Sequence, residues 1–253
     1  MLEQVATGTS VAQQQRFESS LPISYSDGMV VAAVYLINGS RACDVIRGQK
    51  LHPLILPGNR SVAVITLFDF QASSIGPYRE LSIGVLASPV RLSLRSALSA
   101  LQGSSHVGAW IIALPVSSPV ACRGGIELFG YPKSLSSIDV HVTNGICSYS
   151  VKENGQELAS CDLPLGRGPR IPVRRLVTYS SLSGHLIETK IPVSWSPTLS
   201  SGRGARLRLS VANHPLLQAI GRLGLPADPT FLLHGGGFEA ILNAGSWSSG
   251  VTP

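Results

Sequence analysis

Met29-Val30-Val31-Ala32-Ala33-Val34-Tyr35-Leu36-Ile37 decides the fold class. The run carries no charge and is rich in β-branched residues, so it reads as a buried strand. Outward from it, the same character returns at residues 61–70, 81–90, Gly108–Val116 and 138–142. Glu153-Asn154-Gly155 separates residues 145–152 from 157–161, and Asn-Gly between two such runs is a hairpin signal. Further strands are predicted at 173–180, 185–193, 205–211, 231–234 and 238–242. Residues 54–57 end in a turn at Gly58-Asn59. Helices are fewer. Residues 42–48 read as a short one with Cys43 and Ile46 facing in. Residues 92–101 place apolar side chains at 94, 97, 98 and 101, which is helical spacing. Pro215–Leu223 reads as a third, starting near Asn213 or His214.

Many short strands with few helices predict a mainly β (α+β) fold, largely antiparallel, with peripheral helices. A sheet this long avoids open edges by curling or closing into a barrel. Residues 1–18 read as a loose arm, 19–247 as a single domain and 248–253 as a tail.

The chain has 253 residues, 44% hydrophobic and 13% charged, with a mean hydropathy of +0.25. That composition supports a sizeable core and excludes disorder as the default state. The net charge of +6 raises nucleic-acid binding as a possibility. The arginines at 167, 170, 174 and 175, and at 203, 206 and 208, have no aromatic residues interleaved, which argues against it. Arg206 and Arg208 alternate with Leu207 and Leu209, the pattern of a strand with one wet face. The four cysteines form no CxxC pair, and no histidines fall at zinc-ligand spacing. Reduced, mostly buried thiols are expected, which suits a cytoplasmic location. The polar first twenty residues do not resemble a signal peptide, and the longest apolar runs are too short to span a bilayer as helices. No nucleic-acid or membrane partner is expected.

Lys133 is the residue with the clearest chemistry. It is one of only four lysines and lies in Glu127-Leu128-Phe129-Gly130-Tyr131-Pro132-Lys133-Ser134-Leu135. Lysine, unlike arginine, forms a Schiff base once it loses a proton. Held among Phe129, Tyr131, Pro132 and Leu135, its amine would be desolvated, which disfavours the charged form. The bland alternative is a stem packed on apolar surface with the amine reaching water. Other chemistry is absent by motif. Gly235-Gly236-Gly237 lacks the residues of a phosphate loop and reads as a turn or bulge, and there is no GxSxG elbow. The six histidines are scattered and read as structural or exposed, His106 being the one of most interest.

Two segments belong together: Ser73-Ser74-Ile75-Gly76-Pro77-Tyr78-Arg79-Glu80 and Gly125-Ile126-Glu127-Leu128-Phe129-Gly130-Tyr131-Pro132-Lys133. They resemble the acetoacetate decarboxylase superfamily, which carries a Gly-x-Tyr-x-Glu segment followed by an Arg-Glu turn and an aromatic-Pro-Lys motif. Gly221–Leu225 and Glu239–Leu242 are similar to the family's closing segment, so the resemblance covers roughly residues 20–245. It implies an acetoacetate decarboxylase-like barrel, Lys133 as the imine-forming nucleophile and Glu80 as the proton-transfer or orienting carboxylate. It also implies Tyr78, Tyr131 and Phe129 at the substrate, with Glu127 behind them. The implied substrate is a small keto acid or other carbonyl compound, in a homo-oligomer. No cofactor or metal is implied, because the imine itself is the electron sink.

The chain departs from the best-known decarboxylases at four places. Their second lysine is Ser134 here, their upstream glutamate is Ile65, and the arginine of their Arg-Glu turn is Ile126. Their N-terminal arginine has no match near residues 27–31. Three functions therefore stand: a β-keto acid decarboxylase, an imine-forming aldolase-dehydratase on pyruvate and an aldehyde, and a binding protein on the same scaffold.

Overall fold

A computed structural model describes residues 21–92, 107–210 and 213–247. The chain runs β1 (Ile23–Asn38), α1 (Gly39–Val45), β2 (His52–Pro53), β3 (Arg60–Ser73), β4 (Tyr78–Ser88) and β5 (Gly108–Val116). Next come α2 (Pro119–Phe129), β6 (Lys133–Leu135), β7 (Ser137–Thr143), β8 (Ile146–Glu153) and β9 (Gln156–Pro164). They are followed by β10 (Val173–Leu182), β11 (His185–Trp195), β12 (Thr198–Ser201), β13 (Arg206–Leu209) and α3 (Pro215–Leu223). β14 (Phe231–Gly235), β15 (Glu239–Leu242) and β16 (Ser246–Trp247) complete it.

Seven of these strands close a barrel in the order β1-β3-β4-β5-β10-β11-β15 and back to β1. Most neighbours are antiparallel, but β5 pairs with both β10 and β6 in parallel, so the barrel is mixed. β1 pairs with β3 along one edge, and its other edge passes from β15 at 23–25 to β14 at 30–34 around a register shift between Tyr25 and Gly28, a bulge that bends the strand. The β9-β8-β7 meander, with β13 at its other edge, forms a separate four-stranded sheet. Asn154 and Gly155, with φ of 49° and 79°, make the predicted β8-β9 turn.

Strand side chains alternate, and the two faces of the barrel wall bury different cores. One face of β1, β3 and β4 presents Val31, Ile65, Leu67 and Ile83 to the second sheet and to α3. α3 answers with Leu216, Leu217, Ile220 and Leu223, all buried on one helical stripe. Each such side chain contributes about 1.5–3 kcal/mol by leaving water. The other face points into the barrel.

Several expectations change. The first helix begins at Gly39, because the Asn38 side chain accepts from the Ser40 N–H and caps it there. Ala42 and Ile46, four apart, share its inward side, and Cys43 next to them faces solvent. Cys122 is only partly buried, so the thiols divide evenly, with Cys147 and Cys161 inside. The helix expected at 92–101 lies almost wholly outside the described residues, as does His106. α2 was not expected: the second motif is a helix where a turn was read. No described helix is long and apolar enough to cross a membrane.

Candidate active site

α2 places the lysine. Ser118 caps it, accepting from the Ala121 N–H at 3.2 Å, and Pro119 opens the first turn. Gly130, left-handed at φ 62°, ends it and gives its N–H to the Ile126 carbonyl. A side chain at 130 would strike the Ser181 carbonyl, so only glycine allows this exit. The chain then turns through Tyr131 and Pro132 into β6, where Lys133 pairs with Leu114 of β5. The lysine stem runs back beneath α2, against the bare Cα of Gly125.

Glu80 arrives from β4, between Phe68 of β3 and Val116 of β5. Lys133 Nζ donates to Glu80 Oε2 at 2.7 Å, with the two side chains only 7% and 13% exposed. The apolar surroundings expected from sequence are therefore incomplete. The amine is desolvated, but beside a carboxylate that is in position to accept its proton.

The pair borders a cavity of about 90 Å³ in the barrel interior. Alternation delivers the lining two residues at a time: Phe68 and Phe70 from β3, Glu80 and Ser82 from β4, Leu176 and Thr178 from β10. All seven barrel strands contribute. Lys133 and Glu80 are the charged groups in this wall among the described residues, and most of the rest is apolar. A smaller space of about 20 Å³ lies on the α2 side of the lysine.

Tyr131 lines both spaces, with Lys133 Nζ 5.9 Å from its ring centroid. Its hydroxyl shares a 2.6 Å hydrogen bond with Thr178 Oγ1, and its ring stacks on Phe129 at 5.5 Å. Burial pushes the Tyr131 phenol up, and the Thr178 bond offsets part of that. Phe129 and Tyr78 reach the smaller space only, Tyr78 also facing an outer groove. Glu127 borders neither space and sits part-buried on α2. Ile65 faces away from the cavity, into the core beneath the second sheet.

Sequence reasoning missed Tyr25 and Gly125. Tyr25 lines both spaces and shares a 2.9 Å hydrogen bond with the Tyr78 hydroxyl. Its neighbours Ser24, Ser26 and Asp27 gave no motif. Ser134, following the lysine, turns away to Glu153, which also binds Ser136 and His214. No group of three or more His, Cys, Asp and Glu side chains able to hold a metal occurs among the described residues.

Comparison with known proteins places the fold that carries these residues. A family model described as acetoacetate decarboxylase (ADC) matches residues 12–183. The enduracididine biosynthesis enzyme MppR, solved with the condensation product of pyruvate and imidazole 4-carboxaldehyde, superposes with a TM-score of 0.63 at 13% identity. The alignment covers 91% of this chain and 90% of MppR. Acetoacetate decarboxylase from Legionella pneumophila superposes with a TM-score of 0.63 at 15% identity, covering 90% and 87% of the two chains. An acetoacetate decarboxylase-like enzyme from Sphingomonas wittichii gives 0.60 at 13% identity, covering 89% and 92%. At these identities the likeness is one of fold. No curated protein matches the sequence.

Proposed function

The chain belongs to the acetoacetate decarboxylase family, and we propose that it is an imine-forming lyase that decarboxylates acetoacetate or a related β-keto acid through Lys133. The observation that carries this is the 2.7 Å contact of Lys133 with Glu80 at the wall of a largely apolar cavity. An amine must lose a proton before it attacks, and Glu80 is the acceptor in place.

Glu80 would carry protons from nitrogen to oxygen twice. It first takes one from the ammonium, and the free amine adds to the carbonyl carbon while the carbonyl π pair moves to oxygen. That oxygen takes the proton back from Glu80. Glu80 then removes a second proton from nitrogen and delivers it to the departing hydroxyl, which leaves as water. The nitrogen lone pair closes the C=N bond, giving a protonated imine beside the Glu80 carboxylate. The bond from the α-carbon to the carboxylate then breaks, carbon dioxide leaves, and the electron pair flows into the imine to give an enamine. Protonation of the enamine carbon and hydrolysis by water release the ketone and restore Lys133.

Condensation of pyruvate with an aldehyde through the same imine is a second reading. The largely apolar wall is compatible with a neutral aldehyde as the second reactant, while pyruvate brings the same single carboxylate as acetoacetate. The ligand named for MppR is of this kind, although the likeness to MppR extends to fold alone.

The test is borohydride reduction with acetoacetate, pyruvate and larger keto acids, read by intact and peptide mass. A stable adduct on the Lys133 peptide, absent in Lys133→Ala, is expected. Carbon dioxide release then separates the two reactions. A folded protein giving no adduct with any acid would overturn both and leave a carbonyl-binding protein.

A further inference from the structure

Tyr25 and Tyr78 meet hydroxyl to hydroxyl at 2.9 Å, both buried. Two phenols carry two protons, and only one lies between them. The other needs an acceptor, and among the described residues no further partner takes it. A buried donor without an acceptor costs free energy, so a spare proton at a cavity wall marks a place where a ligand oxygen completes the bonding. The two phenols differ in position. Tyr25 lines both spaces that meet Lys133, and Tyr78 only the smaller one.

We propose that Tyr78 donates to Tyr25, and that Tyr25 offers its own proton to the carbonyl oxygen of the substrate as Lys133 attacks. Tyr25 is then a catalytic residue that binds the developing alkoxide, and Tyr78 positions it. The inference rests on the imine reading above and assigns the oxygen site of that reaction. No proton leaves the phenol: the π pair of the carbonyl moves to oxygen, the hydrogen bond from Tyr25 strengthens as charge builds, and Glu80 supplies the proton that neutralises it. Burial, with the Glu80 carboxylate adding, pushes the Tyr25 phenol up, which keeps it a donor throughout. Donors preset where charge develops are strong contributors to catalysis. The tilted packing of Tyr25 on Phe70, with centroids 4.3 Å apart, fixes the ring that carries this one.

Two measurements test the pair and the lysine separately. The first is the initial rate of borohydride-trapped adduct with pyruvate and with acetoacetate. Tyr25→Phe, which keeps the ring, is expected to slow it about 100-fold. Tyr78→Phe is expected to slow it by a smaller factor, since Tyr25 keeps its proton but loses its orientation. Equal rates in Tyr25→Phe and the parent overturn the proposal.

The second measurement needs no imine. Infrared spectra of the same acids, labelled with carbon-13 at the keto carbon, are recorded on Lys133→Ala. A bound carbonyl band shifted to lower frequency is expected, and the shift should vanish in Lys133→Ala/Tyr25→Phe. An unchanged band, or no bound carbonyl, overturns the oxygen site. Absence of adduct in the parent with this shift present would instead overturn the imine reading and leave Tyr25 as a carbonyl-binding residue.

Discussion

The side chain of Lys133 occupies the space that a side chain at Gly125 would need: a Cβ there would lie 2.3 Å from Lys133 Cε and 2.4 Å from Cδ. Glycine inside a helix costs about 1 kcal/mol relative to alanine. At position 125 that cost leaves room for the lysine.

Gly125→Ala should therefore separate stability from activity. Helix propensity gains about 1 kcal/mol, and the atoms that must yield are the flexible end of the lysine rather than backbone. A displacement near 1 Å from an attacking position costs on the order of 100-fold in rate. The expected result is adduct formation slowed about 100-fold in a protein that still unfolds cooperatively, the helix gain offsetting part of the cost of disturbing the Lys133–Glu80 contact. A normal trapping rate would show that the stem has another path to the cavity.

Lys133 and Glu80 form a buried pair, so removing one partner should cost more than removing both charges. Lys133→Met leaves a buried carboxylate without its cation and should destabilise by about 3–5 kcal/mol. Adding Glu80→Gln should restore much of that, although neither protein forms an imine. Urea unfolding of the two singles and the double gives the coupling directly.

Glu153 predicts an acid limb in the stability curve. Burial raises its carboxyl, but hydrogen bonds from Ser136, Ser134 and His214 outweigh this and hold it below the usual glutamate range. A carboxyl depressed in the fold contributes fully above its unfolded value and loses that contribution as pH falls through its folded value. The window opens at about pH 4.3 and runs downward. Urea midpoints of the parent should fall across that window more steeply than those of Glu153→Gln. Parallel curves would sink the assignment.

Gly155 tests the turn without side-chain contacts, since nothing lies within 4 Å of a Cβ built there. At φ 79° the backbone alone opposes a side chain. Gly155→Ala should cost about 1 kcal/mol in reversible unfolding and leave imine trapping untouched.

The strands were legible because their cause is local. β-branched runs broken by Asn-Gly and Gly-Asn gave Gly108–Val116 to the residue and the β8-β9 hairpin closely, and among the helices Pro215–Leu223 also matches to the residue. α2 was not, because Cys122-Arg123-Gly124-Gly125 looks like loop by propensity. Its real signals were at the ends, Ser118-Pro119 before and Gly130 after, and packing of Ala121 and Phe129 sustains the middle. Lys133 stood out by its neighbours, Glu80 is singled out by family resemblance alone, and their contact has no sequence signal. Nothing local predicts a contact across barrel strands. Tyr25 was illegible for the same reason: it meets the lysine only because β1 and β15 close the wall.

That closure has a kinetic side. Tyr25 pairs with Ala240, so the first and nearly the last described strands must find each other before the cavity has a complete wall. Joining chain ends so far apart carries a loop-closure cost, and folds dominated by such non-local pairings form slowly. During synthesis the lysine and its carboxylate would already have emerged while Ala240 and Leu242, which line the same cavity, had not. Reactivity of Lys133 would then report on completion of the fold: an amine exposed to water in the growing chain becomes enclosed only when the final barrel strand docks.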